Sequence, residues 1–545
     1  MDFTKGKIIF DGEETVMNSS VPYFKEYNGA TRVAILMKRT PDLLFTIFEC
    51  LKKHITFIPI DPTYPKEHIQ YIIDDSKPDA IISDVDMDIN CTKHDQTTTD
   101  EIDIAYILYT SGSTGNPKGV EIHRSALFNF IEGVSEIIDF SEGKRIACLT
   151  TVSFDIFLLE SVMAIYKGLT VVLADENEQR NPKLMAKLIQ ENMVNMIQMT
   201  PSRMQLLLNY DKELSCLKSI QDIMIGGEPF PLSLLHILQN KTDARIYNMY
   251  GPTETTVWST ISDLTHKNRI DIGNPIKNTE IFLIDENLCI VPKEQAGEIC
   301  IAGKGLAKGY IGRKDLTKEK FIYINQNPKI RVYRTGDIGR LLQNGDLEYL
   351  GRYDNQVKIR GHRIELEEIE KHLGIFDGVI QSIVTVIEKT NTNKFLEAFY
   401  MSDKAIPQKE ITAYLSQKLP EYMIPVRFKR IKAFIYTANG KIDRNRISEC
   451  IEMELDDFTK DINIDEINDI HKEIIEIVES TLDFKISDMK LETEFSEIEI
   501  DSITFIRIVT ILEDNFDFEF DDEMLLLNTF PTIKSMIDYV KSKIS

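Results

Sequence analysis

Residues 105–120 read AYILYTSGSTGNPKGV, an apolar, strand-like run that opens into Thr110, Ser111, Gly112, Ser113, Thr114 and Gly115 and then reaches Lys118. Small hydroxyl side chains and glycines let backbone N–H groups approach phosphate oxygens closely, and a lysine supplies the countercharge. A triphosphate needs that combination. The spacing is not that of a Walker A loop, because Gly119 follows Lys118 where Ser or Thr is required. A flexible Ser/Gly linker has the same composition, but the strand before the loop and the Pro-Lys-Gly after it argue for phosphate binding.

The elements around the loop set its context. From Arg32 to about Asp175, short β-rich runs such as VAILM and FIPI alternate with helical patterns, the rhythm of α/β units around a largely parallel sheet. After Asp285 the texture changes to short strands with Gly and Asp turns, as in LQNGDLEYLGRYDNQVKIRGHR, which predicts β-hairpins. Two amphipathic helical stretches and strand-like runs such as QSIVTVIE between Ile364 and Asn445 predict a small α+β domain. In the last eighty or so residues Ile467, Ile470, Ile474 and Ile477 fall on one helical face, so three or four short helices are expected there.

Bulk composition narrows the function classes. At 545 residues and 43% apolar content, two to four domains are expected. A formal net charge of −24 argues against a nucleic-acid or anionic-membrane surface. Residues 463–545 alone hold 21 Asp and Glu against 7 Lys and Arg, yet their apolar periodicity predicts a folded bundle rather than a solvated tail. The seven cysteines lack the close pairing of zinc sites or disulfide frameworks and read as buried small residues in a reducing compartment. The N-terminal residues carry no apolar signal region and no run is long enough to cross a membrane, so a cytoplasmic protein is expected.

Beyond the loop, CLKKHITFIPIDPTYP, SFDIFLLE, NMYGPTETT, GEICIAGKGLAKGY, YRTGD, GRYDNQVKIRGHRIELEEIE, LPEYMIP and NGKIDR occur in this order. With them the chain resembles, over nearly its whole length, the adenylate-forming superfamily and within it the adenylation domains of nonribosomal peptide synthetases. The resemblance implies an α/β fold in parts: a large core of αβ subdomains and a β-barrel-like part (1–353), a mobile α+β subdomain (354–450), a linker (451–462) and an all-α four-helix carrier bundle (463–545). It implies ATP, Mg²⁺ and 4′-phosphopantetheine as cofactors. Glu254 would hold the metal, a hard oxygen ligand suited to Mg²⁺, and Thr253 would touch a phosphate. Asp337 would accept from the ribose hydroxyls with Arg352 nearby, and Gly227, Asn248 and Tyr250 would surround adenine. Lys441 would bridge the substrate carboxylate and the α-phosphate, and Asp354 would be the hinge about which the small subdomain swings. Taken singly these residues have plainer readings, Glu254 as a solvated turn residue and Asp337 as a turn former beside Gly336.

The same resemblance aligns a side-chain pocket with Asp155, Ile156, Leu159, Gln198, Met224, Gly226, Met249, Val257 and Trp258. Asp155 would bind an α-ammonium, which offsets the cost of burying a carboxylate. The bulky lining leaves little volume, so glycine is the expected substrate and alanine the second. In FSEIEIDSITFIRI, Ser502 matches the residue to which carrier proteins attach phosphopantetheine, with Glu499 where glycine is usual. A helix N-cap is the plainer reading of such a serine. The N-terminal region is shortened for the family, and with no condensation or thioesterase motif in view the expectation is a free-standing loading module. Its expected partners are a phosphopantetheinyl transferase, a downstream condensation or acyl-transfer enzyme and a small activating protein. The rival readings are a ligase that transfers to coenzyme A and a catalytically silent assembly protein.

Overall fold

The strand Arg32–Leu36 is buried at every position and lies parallel to Thr56–Ile60 and Ala80–Ser83, as expected of a β-branched run covered on both faces. These three strands belong to a six-stranded sheet with Ile104–Thr110, Lys118–His123 and Gly309–Tyr310, seen in a computed structural model of the chain. The model describes residues 5–16, 29–87, 89, 103–112, 115–324, 328–354, 356–390, 393–435, 442, 444–449, 474, 475, 477, 478, 502–516, 518, 520, 521, 524, 530 and 532–544.

The α/β rhythm builds two parallel-cored sheets where the sequence suggested one. The second has nine strands, and its six parallel members run in the order Arg245–Tyr250, Asp222–Gly226, Met196–Met199, Arg145–Cys148, Thr170–Leu173 and Lys7–Phe10. Periodicity identifies a strand but not its neighbours, so this division was not readable from the pattern. Val33, Ile35 and Phe57 of one sheet share a core with Ile146, Val171 and Met196 of the other, and the helices Pro41–Lys52 and Arg124–Ser135 contribute to it. The alternate residues of each sheet face outer helices: Ala34 and Ile58 pack with the helix Lys66–Ser76, and Ile197 and Ile223 with Pro182–Glu191 and Pro201–Tyr210. The result is a layered α/β core in which each sheet is covered on both sides.

The Gly/Asp-rich region forms an antiparallel sheet, Thr279–Ile284, Ala296–Gly303, Ile330–Leu341 and Phe321–Ile324, with Leu347–Arg352 paired to Ile330–Leu341. A short hairpin, Val357–Ile359 with His362–Ile364, follows; Arg360 and Gly361 at its tip have φ of 53° and 82°, which Gly361 meets without strain. Cys50, Cys148, Cys216 and Cys300 are buried as expected, whereas Cys289 is exposed in the turn before Ala296–Gly303, where a hairpin end has no core to enter.

Two compact units emerge, Met1–Glu368 and Ile369–Ser545. The second holds the three-stranded sheet Val379–Thr390, Asn393–Ser402 and Arg427–Arg430, with the helix Gln408–Leu415. It also contains a separate apolar cluster of Ile474, Val478, Phe505, Ile508, Val509, Leu512, Ile533, Met536 and Val540. The last seven lie on the helices Ser502–Phe516 and Ile533–Ile544 at helical spacing. Ile474 and Ile477 join this cluster; Ile467 and Ile470, the linker at 451–462 and the first part of the carrier segment lie outside the described residues. Among the described residues no helix is long and apolar enough to cross a membrane.

Candidate functional site

Thr110 and Lys118 are cross-strand partners in an antiparallel pair, so the phosphate-type loop is the tip of a hairpin at the sheet end. Its tight path needs Gly112, where a Cβ would lie 2.0 Å from the Asn116 carbonyl oxygen. Ser111 Oγ donates to the Arg363 carbonyl at 2.6 Å, and Gly112 N–H donates to Glu368 at 3.1 Å. Thr110 Oγ1 is buried with no hydrogen-bond partner among the described residues, a donor suited to an oxyanion. Ser113 and Thr114 lie outside the described residues.

Lys118 is buried against Glu254 and Glu365, 3.9 Å from each, with its ammonium 5.0 Å from the Tyr310 ring centre. Burial lowers its pKa to about 8, the neighbouring Arg363 charge adding to the effect. Glu254, carried on the 3₁₀ turn Thr253–Thr255, is fully buried and accepts from Arg363 Nη1 at 3.0 and 2.8 Å and from Tyr310 OH at 2.7 Å. Burial opposes its ionisation, but Arg363 and Lys118 outweigh that and hold it down at about 2. Glu254 is therefore a permanent carboxylate whose charge partners are cations.

Asp337, in the long strand Ile330–Leu341, accepts from Tyr250 OH at 2.6 Å and from Arg352 Nη1 at 2.7 Å. Arg352 also donates to Asp354 at 2.6 and 2.7 Å, which couples the expected hinge residue directly to the expected ribose ligand. Asn248 is buried and donates to the Asp271 carbonyl at 2.8 Å.

A cleft at the C-terminal ends of the parallel strands brings together Asp155, Ile156, Gly227, Thr253, Trp258, Asp337 and Arg352. Ligands in open α/β sheets bind at that end. Burial pushes the Asp155 carboxyl up to about 6, against a hydrogen bond from the Thr253 side chain. The remaining pocket positions are sealed behind this wall. Gln198, Met224, Gly226 and Met249 lie on one face of three adjacent strands, with Gln198 beside Met224 and Gly226 beside Met249. Leu159 and Val257 are buried in the same inter-sheet core as Met224, Met249 and Trp258. Thr256 and Val257 have φ of 67° and 64°. That conformation costs a β-branched residue on the order of 1–3 kcal/mol, and it turns the chain just before Trp258.

Gly226 makes room for that tryptophan: a Cβ there would stand 2.6 Å from both Trp258 Cη2 and the Met249 carbonyl oxygen. Gly226→Ala is expected to cost about 1–3 kcal/mol in urea unfolding through overpacking, with the indole displaced toward the cleft.

Sequence reasoning missed Arg363, Lys358, Gln356 and Thr335, all of which line the cleft. The available signal was three cations, Lys358, Arg360 and Arg363, within one short hairpin of an acidic chain. Lys441 lies outside the described residues, so its expected place beside the phosphates stays with the sequence. Ser502 is the first residue of the helix Ser502–Phe516.

A hairpin loop of phosphate-binding composition, a buried carboxylate among cations, and a second buried carboxylate in one cleft with an indole are parts that a nucleotide- and acid-activating enzyme needs. The family described as AMP-binding enzyme matches residues 26–311, and the phosphopantetheine attachment site family matches 472–540. The chain is 32% identical to Gramicidin S synthase 1 of Brevibacillus brevis over 94% of its own length and 47% of that protein. It therefore spans about half the length of that relative, and only 18% of the dimodular nonribosomal peptide synthase of Bacillus subtilis, to which it is 36% identical over 76% of its own length. Among solved structures it resembles a four-domain nonribosomal peptide synthetase bound to AMP and glycine, at 29% identity and a TM-score of 0.57, over 96% of this chain and 40% of that one.

The chain belongs to the AMP-binding enzyme family, as an adenylation domain of the nonribosomal peptide synthetase type joined to a carrier domain. This family uses ATP and Mg²⁺, and the attachment site implies 4′-phosphopantetheine. The residues present fit these groups. Thr110 Oγ1 is a buried donor with no partner among the described residues, Lys118 would supply the countercharge, and Glu254 is a single hard carboxylate of the kind that suffices for Mg²⁺ shared with phosphates and water.

Proposed function

We propose that the protein activates a small amino acid, glycine first and alanine second, as an acyl-adenylate and transfers it to the phosphopantetheine thiol on Ser502. Asp155 carries this reading: burial raises this cleft-wall carboxylate to about 6 despite the Thr253 hydrogen bond and the Lys358 charge, so a further cation stabilises it, and an amino acid's ammonium supplies one. Trp258 at the side-chain end of the cleft, packed directly on Gly226, favours a substrate with no side chain.

Bound ATP and Mg²⁺ supply the reactive phosphoryl centre. Around it Lys118 and Thr110 neutralise and hold phosphate oxygens, Glu254 takes the metal, Asp337 orients the ribose and Asp155 orients the amino acid. Lys441 completes the charge between carboxylate and α-phosphate. We assign the chain to a core (1–353), a small subdomain (354–450) that swings about Asp354, a linker (451–462) and a carrier (463–545). The partners implied are a phosphopantetheinyl transferase, a downstream condensation or acyl-transfer enzyme and a small activating protein. Coenzyme A ligation is disfavoured because it needs neither Asp155 nor a carrier.

ATP–pyrophosphate exchange with glycine, alanine, β-alanine and serine tests the reading. Exchange with glycine above alanine is expected, and no exchange with any proteinogenic amino acid removes the proposal. A pH profile adds a sign. Asp155 must be ionised to bind an ammonium, so kcat/KM for the amino acid should fall as pH drops below about 6, by roughly tenfold per pH unit at the limit. A flat profile from pH 7 to 5 would contradict the assignment.

A further inference from the structure

Glu160 lies in the π-helical turn Leu159–Met163, is fully buried and does not line the cleft. One carboxylate oxygen accepts from the backbone N–H groups of Leu149 and Thr150, both at 2.8 Å. The other accepts from the Thr150 hydroxyl at 2.6 Å and from Gln198 Nε2 at 3.4 Å. Gln198 Oε1 in turn accepts from the Trp258 indole N–H at 3.1 Å. The three side chains are 0%, 1% and 2% exposed, so no solvent competes along this line.

The direction of the line follows from chemistry. Four donors already face the Glu160 oxygens, which leaves no place for a carboxyl proton to point. Burial raises its pKa, and the Thr150 bonds with the Arg39 and Arg203 charges oppose that rise. An acceptor-only carboxylate makes Gln198 present its NH₂ group, which leaves the amide oxygen for the indole, a donor only. A flipped amide would set donor against donor at Trp258 and acceptor against acceptor at Glu160.

We propose that Glu160 is a positioning residue for substrate selection, acting through Gln198 to lock the Trp258 indole against Gly226 and so set the depth of the side-chain end of the cleft. This rests on the reading of the cleft as an amino-acid site. Trp258 is the chain's single tryptophan, so its fluorescence reports on this residue alone.

The test uses the full chain with Glu160→Gln, Gln198→Leu and Trp258→Phe, singly and with Glu160→Gln combined with Trp258→Phe. Glu160→Gln is expected to lower the glycine-to-alanine ratio of kcat/KM by about tenfold, the worth of one buried hydrogen bond, through KM rather than kcat. It should also shift the emission of Trp258 and raise its quenching by acrylamide. In the Trp258→Phe background the same change should leave the ratio where Trp258→Phe alone puts it. An equal loss in both backgrounds would mean a general structural role and overturn the proposal, as would an unchanged ratio with unchanged fluorescence. If Glu160→Gln does not fold, Gln198→Leu breaks the line while keeping bulk and is judged by the same ratio and fluorescence. Absence of amino-acid-dependent exchange in the unaltered chain would end the amino-acid reading and the selection role with it. The fluorescence of the variants then judges the indole lock separately, and unchanged emission refutes it.

Discussion

Replacing Asp155 with Asn should reduce amino-acid-dependent pyrophosphate exchange by about a hundredfold to several thousandfold while leaving the fold as stable as before or more so. Removing one partner of a buried charge pair costs about 3–5 kcal/mol, and about 1.4 kcal/mol is tenfold. The loss belongs in kcat/KM, because the ammonium is held both before and during reaction. Stability should move the other way. The unfolded carboxyl titrates near ~3.9, whereas burial raises the folded group to about 6. The unfolded chain thus binds fewer protons between those values, and stability falls as pH rises through that window and stays lower above it. At pH 7 the penalty is roughly 2–3 kcal/mol. Asn carries no charge and removes the penalty, so urea unfolding of the variant should lose the decline between pH 4 and 6. A variant that loses exchange and stability together would show a residue of structure rather than of substrate binding.

The second large effect is expected at Ser502. Ser502→Ala should abolish covalent loading of the amino acid completely and leave exchange within about twofold of the unaltered chain. Loading needs one covalent bond to one hydroxyl, so no partial substitute exists. Exchange draws on the cleft between Phe154 and Arg363, on the loop at Thr110–Lys118 and on Lys441, and none of these belongs to the carrier segment. The helix Ser502–Phe516 holds its place through Phe505, Ile508, Val509 and Leu512, none of which the change touches. Intact-mass measurement after co-expression with a phosphopantetheinyl transferase checks the first half, and radiolabelled pyrophosphate the second. Persistent loading of the variant would move the attachment site elsewhere.

Legibility differed by residue. The loop at Thr110–Lys118 was readable because its chemistry is contiguous, and the structure adds that it is a hairpin tip with Thr110 opposite Lys118. Gln198, Met224, Gly226 and Met249 came only from resemblance. Their common face depends on three strands being neighbours, which local periodicity does not state. Glu160 lies within SFDIFLLE, but its role is not legible there. A glutamate in a helical pattern is ordinarily a solvated one, and only the packed sheet ends show that this one is buried against Thr150 and Gln198.

The sequence by itself determined the elements, their α/β and then antiparallel texture, and the contiguous candidates for phosphate, metal and ammonium binding, since these depend on side-chain type and near-neighbour spacing. The tertiary structure alone decided how those groups are charged and aimed. Arg363 reaches Glu254 across more than a hundred residues of chain, and Trp258 meets Gln198 across sixty. Electrostatic and hydrogen-bond energies depend on distance and burial, and neither quantity exists until the chain is folded.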